Sequence, residues 1–287
     1  GDMRVEDCSF LSGPNTPMAG RLYLPDAGQD RRVGIVFCHG FGGNKEGTPL
    51  GLSRLLATHG YTVLTFDYRG FGGSGGPRGR LDPAEQIEDA VHALAWLTSQ
   101  RDLDPRRIGL YGTSFGGGVA IGAAHASGLA NAVVVSVPVV HGGDWLRSIM
   151  RWSEYNELCE RTRRALARKA ATGEMEMVER FDIMVPDRIT FDRYKDPVPL
   201  ALETFHHVLQ HAPVDLASAL SVPTLVFGAK DDLLVPVEQA TRLYDRLAGP
   251  KALHLFEVGG HFCVYDEQLQ TVADRAIGWY GKYLEQS

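Results

Sequence analysis

The run Gly112-Thr113-Ser114-Phe115-Gly116 sets one serine between two glycines at Gly-x-Ser-x-Gly spacing. A serine hydroxyl becomes a nucleophile when a base takes its proton, a carboxylate orients that base, and donors receive the negative oxygen formed on the attacked carbonyl. Each partner has a candidate. His261, in Gly259-Gly260-His261-Phe262, is the base; of the ten histidines only His141 also follows a strand beyond Ser114. The carboxylate belongs in Gly228-Ala229-Lys230-Asp231-Asp232-Leu233-Leu234-Val235-Pro236. Counting from Gly228 favours Asp231 and counting back from Pro236 favours Asp232. Asp231 is preferred as the residue nearest the strand end, which leaves Asp232 as a solvated turn residue. The backbone N–H of Phe115 and of Phe41, in His39-Gly40-Phe41-Gly42-Gly43, are the expected oxyanion donors.

These groups act together only if sharp turns at one edge of a sheet present them. Near-continuous apolar runs at 32–38, 61–66, 108–111, 132–140, 222–228 and 252–258 read as buried strands. Helical patterns fall between them at 50–59, 83–100, 117–125, 237–247 and 267–284, with Asp82 as an N-cap and Pro83 at the first helical position of the second. Alternating apolar strands and helices imply a parallel sheet covered on both faces, hence an α/β fold. Two alternating stretches, 8–11 and 19–24, read as an opening antiparallel pair. The segment 141–213 is rich in Arg, Glu and Met, helical in pattern and without a buried strand. It reads as a helical cap inserted into a core domain of residues 1–140 and 214–287.

The chain has 287 residues, 44% of them hydrophobic, and a net charge of −6. It carries no strongly basic tract of the kind that neutralises phosphates, so nucleic acid is not an expected partner. Cys8, Cys38, Cys159 and Cys263 lack CxxC spacing and read as reduced, mostly buried residues. No apolar run reaches the ~20 residues that span a bilayer, and Gly1-Asp2-Met3-Arg4 does not open an apolar leader. The reading is a soluble, cytoplasmic protein without metal or organic cofactor. Its partner is a small-molecule acyl substrate, and a homodimer is left open.

The chain resembles the α/β-hydrolase superfamily, and within it the dienelactone hydrolase-like and prolyl-oligopeptidase-like branch of serine esterases and peptidases. The residues carrying the resemblance are 39–43, 67–74 (Asp-Tyr-Arg-Gly-Phe-Gly-Gly-Ser), 112–116, the Asp231-Asp232 turn through Val235-Pro236, and Gly260-His261. The resemblance implies that Asp67 and Arg69 form a structural turn, with Arg69 bracing loops near the site. Asn44-Lys45-Glu46 reads as a polar loop. His207 and His211, four apart on a helical pattern, lack a further ligand and read as solvated or capping residues. The basic run Arg161, Arg163, Arg164, Arg168 and Lys169 reads as a charged cap face. Trp145, Trp152, Tyr155, Phe181, Met150, Met175 and Met177 read as cap core or pocket wall.

These residues imply hydrolysis of a carboxylic ester through an acyl-enzyme. A thioesterase or acyltransferase would use the same groups, as would a small-substrate peptidase or amidase. A scaffold with a dead site would not need all three side chains. A haloalkane dehalogenase would require an aspartate at position 114.

Overall fold

The computed structural model describes residues 3–100 and 103–285, so Gly1 and Asp2 of the start considered above lie outside the described residues. Strands β1 (Arg4–Ser12) and β2 (Thr16–Leu24) open the chain as an antiparallel pair, turned at Gly13 and Asn15, both at positive φ. The alternation then runs β3 (Val33–Cys38), α1 (Pro49–Thr58), β4 (Tyr61–Phe66), α2 (Pro83–Thr98), β5 (Ile108–Thr113), α3 (Phe115–Ser127) and β6 (Val133–Ser136). β6 is shorter than the apolar run suggested, because Val137 turns to a φ of 42° ahead of Pro138.

The inserted segment follows: α4 (Gly142–Ile149), α5 (Trp152–Thr172), β7 (Met177–Glu179), α6 (Arg180–Ile183), α7 (Arg188–Arg193), β8 (Pro199–Ala201) and α8 (Glu203–Leu209). The expectation that it holds no buried strand is corrected. β7 and β8 pair antiparallel, with Val178 and Leu200 buried, and three-residue strands are too short to show a period in sequence. The chain closes with β9 (Thr224–Ala229), α9 (Val237–Arg246), β10 (Lys251–Phe256) and α10 (Leu269–Leu284).

Among the described residues one eight-stranded sheet has the order β1-β2-β4-β3-β5-β6-β9-β10. β1, β2 and β4 pair antiparallel in turn, and every other neighbouring pair is parallel. Every residue of β3, β4, β5, β6 and β9 is buried, which is why these strands read as unbroken apolar runs. One core packs α2, α3 and α9 on one face of the sheet; a second packs α1 and α10 on the other. Cys38 and Cys263 are buried, and Cys8 and Cys159 partly so. No helix among the described residues is long and apolar enough to cross a membrane.

Register decides which loops meet. β3 and β5 pair as far as Cys38↔Gly112, so the turn at 39–43 stands beside the turn at 113–116. β9 and β10 pair as far as Ala229↔Phe256, which sets the loop at 230–236 beside the loop at 257–262. Asp67, at the end of β4, ties the first turn down. Its buried carboxylate accepts from the Lys45 backbone N–H at 2.9 Å, Lys45 Nζ at 3.0 Å and the Gly73 N–H at 3.0 Å. Arg69 lies apart from the site, against Glu85, Glu88 and Asp89 of α2, so it braces α2 and not the site loops.

Replacing Asp67 by Ala strands two amides and a largely buried ammonium. Asp67→Ala should lower unfolding free energy by about 3 kcal/mol in urea melts. A change within about 0.5 kcal/mol would mean the loop does not depend on this anchor.

Candidate active site

Ser114 stands on the turn between β5 and α3 with φ 56° and ψ −127°, a region costly for any residue with a side chain, by about 1–3 kcal/mol. The surroundings hold it there. Its N–H donates to Ser136 O at 2.9 Å, and its carbonyl accepts from the Gly117 N–H at 2.9 Å and the Val139 N–H at 3.0 Å. Both flanking glycines are sterically required. A β-carbon on Gly112 would lie 2.4 Å from Gly116 O, and one on Gly116 would lie 2.1 Å from Cys38 O and 2.4 Å from His39 O. Gly40 is the floor beside the hydroxyl, since a β-carbon there would sit 3.9 Å from Ser114 Oγ.

His261 is buried in the short turn after Gly260, and its Nδ1 lies 2.7 Å from Asp232 Oδ2. An ionised carboxylate only accepts, so Nδ1 carries the hydrogen and Nε2 has the free lone pair. A histidine fixed in that tautomer can take a proton from a neighbouring hydroxyl. The preference for Asp231 is therefore corrected: the residue paired with His261 is Asp232. The chain turns back after β9, with the Asp232 N–H donating to Ala229 O, and this leaves Asp231 exposed. The Asp232 side chain is only 1% exposed, and its Oδ1 accepts from the Leu234 and Val235 N–H groups at 2.9 and 2.8 Å. That double amide contact anchors it better than nearness to the strand does.

Ser114, His261 and Phe41 line one cavity of about 190 Å³. Phe115 is buried at the first position of α3, where its N–H is not used within the helix. The Phe41 and Phe115 rings pack edge-to-face at 5.3 Å and both meet Trp145, at 5.6 and 5.8 Å. Trp145 Nε1 donates to Leu234 O at 3.0 Å, linking α4 to the loop that carries Asp232. Behind the serine a row of hydroxyls joins Tyr111 to Ser136, Ser136 to Thr113, and Thr113 to Tyr265, at 2.7, 2.8 and 2.7 Å. Tyr265 follows His261 closely, so this row fixes the histidine loop to β5. Burial raises the Tyr265 hydroxyl's pKa well above its ordinary value, so it stays protonated.

Several side chains singled out in the sequence lie elsewhere. His141 accepts from the Asp144 N–H and caps α4. Arg161, Arg163, Arg168 and Lys169 pair with Glu176, Glu160, Glu174 and Glu203. The contribution of residues 141–213 to the cavity wall is not the aromatic and methionine set expected from the sequence; it includes Arg180, Met184, Tyr194, Asp196 and Val198. Trp145 is buried in packing, and Trp152 is 69% exposed and stacked on Tyr155. Sequence reasoning gave Arg180 no role, because a single arginine in a charged segment has no distinguishing neighbour. His211 was read as solvated or capping, which is also corrected: it is buried against the Phe115 ring at 5.2 Å.

A mostly parallel eight-stranded sheet, flanked by helices and carrying a serine on a strained strand-to-helix turn, defines an α/β hydrolase. Residues 29–268 match the family described as Hydrolase_4, serine aminopeptidase, S33, and the chain belongs to that family. An uncharacterised 31.7 kDa protein of Escherichia coli, from the traX-finO intergenic region, is 30% identical over 259 residues, spanning 87% of this chain and 91% of that one. The thiohydrolase aneE of Aspergillus aculeatus is 28% identical over 280 residues, 89% of this chain and 86% of its own. In three dimensions the chain matches the α/β hydrolase GrgF of Penicillium sp. sh18 with a TM-score of 0.84, at 18% identity, over 99% and 100% of the two chains.

Burial lowers the His211 imidazole from 6.5 to about 3, with His141 adding to the shift. The unfolded chain therefore binds this proton more readily than the folded one. Stability from a neutral His211 is complete above pH 6.5 and is lost as pH falls toward 3. The urea midpoint of His211→Gln should accordingly fall less than that of the native chain between pH 7.5 and 5; parallel falls would contradict the assignment.

Proposed function

We propose that the protein is a serine esterase that hydrolyses a carboxylic ester through an acyl-enzyme. The observation that carries this reading is Ser114, held in a strained turn and sharing a cavity with His261, whose Nδ1 is 2.7 Å from Asp232. In this reading Ser114 Oγ attacks the ester carbonyl as His261 Nε2 takes its proton. The Phe41 and Phe115 N–H groups donate to the oxyanion, and the imidazolium is stabilised by Asp232. The tetrahedral adduct collapses, His261 returns the proton to the departing alkoxide, and Ser114 is left acylated. Water enters, gives a proton to His261 and attacks the acyl carbon; on the second collapse His261 passes that proton to Ser114 Oγ, releasing the acid and restoring the serine.

Residues 141–213 act as a cap in this reading, supported by their share of the cavity wall. The free thiols of Cys38, Cys159 and Cys263 fit a reducing, cytoplasmic setting. A thioester substrate is the second reading, favoured by the 28% identity to a thiohydrolase; the family's description as serine aminopeptidases makes amides a third arm of the same test.

The test is turnover of aryl esters from acetate to decanoate, beside matched thioesters and aminoacyl amides. Ser114→Ala should remove activity and fluorophosphonate labelling together. Asp232→Asn should lower kcat by about 10⁴-fold, while Asp231→Asn should stay within about threefold. Equal losses from both aspartate variants would overturn the assignment of the acid, and absence of labelling at Ser114 would overturn the esterase reading.

A further inference from the structure

Arg180 is 6% exposed, yet it is part of the wall of the cavity that holds Ser114 and His261. Its Nη1 reaches Gly42 O only at 3.4 Å, and its Nε has no hydrogen-bond partner. Among the described residues no carboxylate lies within the 4.0 Å of an ion pair. The planar group rests instead over the rings of Tyr194 at 4.7 Å and Phe181 at 5.2 Å. Buried charges are ordinarily paired, because removal from water is costly without a counter-ion. The other cations on the cavity wall have theirs. Arg193 meets Asp266 with two contacts, at 2.7 and 3.1 Å, and Lys195 lies 3.7 Å from Asp192.

The acids that act on Arg180 are at longer range. Asp196, on the same cavity wall, and Glu179 both favour its charged form, as does Tyr194, but burial outweighs them and lowers its pKa. Asp196 and Glu179 are exposed and keep their own hydration. Arg180 is also placed deliberately close to the reacting region. Gly42 adopts φ +69°, and a β-carbon there would lie 2.8 Å from Arg180 Cδ, so the arginine stem occupies space that only glycine leaves free. Gly42 directly follows Phe41, whose amide faces the oxyanion in the proposed mechanism. A guanidinium without a paired carboxylate thus belongs to the same cavity wall as Ser114.

We propose that Arg180 binds a carboxylate carried by the substrate, making the enzyme selective for half-esters of dicarboxylic acids or for esters whose leaving alcohol bears a carboxylate. The inference rests on the serine-esterase reading and specifies its substrate class. A guanidinium suits this role because its parallel N–H groups match a carboxylate's two oxygens, whereas an ammonium meets it as a point charge. A bound carboxylate also supplies the missing counter-ion, so anionic esters gain binding that neutral esters of equal length do not.

The experiment compares two matched pairs on the full-length chain. For the acyl side, mono-aryl glutarate is set against aryl pentanoate. For the alcohol side, butyrate of 4-hydroxybenzoate is set against butyrate of its methyl ester. In one pair the anionic member should have kcat/KM about tenfold higher or more, and that pair identifies the side. Arg180→Gln should reduce the anionic-to-neutral ratio about 10- to 100-fold, and Arg180→Lys should restore part of it. Glutarate should also slow fluorophosphonate labelling of Ser114 in the native chain, more than its monoamide does, a readout that needs no variant to fold. Anionic preference in neither pair, or an equal loss for both members in Arg180→Gln, would overturn the proposal. Labelling of Ser114 with turnover of neutral esters keeps the esterase reading standing in that event, whereas loss of both defeats that reading itself.

Discussion

The carbonyl oxygens of Cys38 and His39 come so close to Gly116 that a single methyl group could not be placed between them. That backbone contact joins the end of β3 to the first turn of α3, and the geometry around Ser114 depends on it. β3 and β5 run side by side with Cys38 opposite Gly112, so the two loops leave the sheet together and touch along their main chains. The same turn sets Phe115 at the head of α3 directly after Ser114, and the neighbouring turn carries Gly40 and Phe41 on the wall of the same cavity. Strain at Ser114 is sustained because the sheet beneath is fully buried and its hydrogen bonds are already made, leaving the turn no lower-energy alternative.

The pairing of His261 with Asp232 is built differently. His261 is carried by a short turn with little secondary structure of its own, and its position is imposed from outside. Asp232 holds one ring nitrogen, and the hydroxyl row through Thr113 holds the following tyrosine. Asp232 in turn is fixed by two amides in its own loop. Orientation thus passes from backbone amide to carboxylate to imidazole, and each link removes a rotational freedom that would otherwise have to be lost in the proposed reaction.

How much of this was legible in the sequence follows from the range of the interactions. The parallel strands were readable because burial on both faces leaves an unbroken apolar run, and Ser114 and His261 because a motif and a chain order accompany them. The choice between Asp231 and Asp232 turned on one four-residue turn, from Ala229 to Asp232, which no periodicity records. The available signal was the pair of amides two and three residues after Asp232, the pattern of a carboxylate closing its own turn. β7 and β8 escaped because three residues cannot display alternation. His211 and Arg180 escaped because their character comes from neighbours distant in sequence: Phe115 for one, Gly42 and Tyr194 for the other.

The bond from Trp145 Nε1 to Leu234 O has a kinetic consequence. An indole buried against Phe41 and Phe115 and fastened to the acid-bearing loop makes α4 mechanically part of the sheet side of the molecule. Swinging residues 141–213 outward as one body would extract that ring and disturb Asp232 at once. Passage to and from the cavity must then be governed by smaller rearrangements farther along, between α6 and β8, where Met184, Tyr194 and Val198 form the wall. On the esterase reading a few side chains there set the time a product spends inside, while the contact of His261 with Asp232 stays assembled.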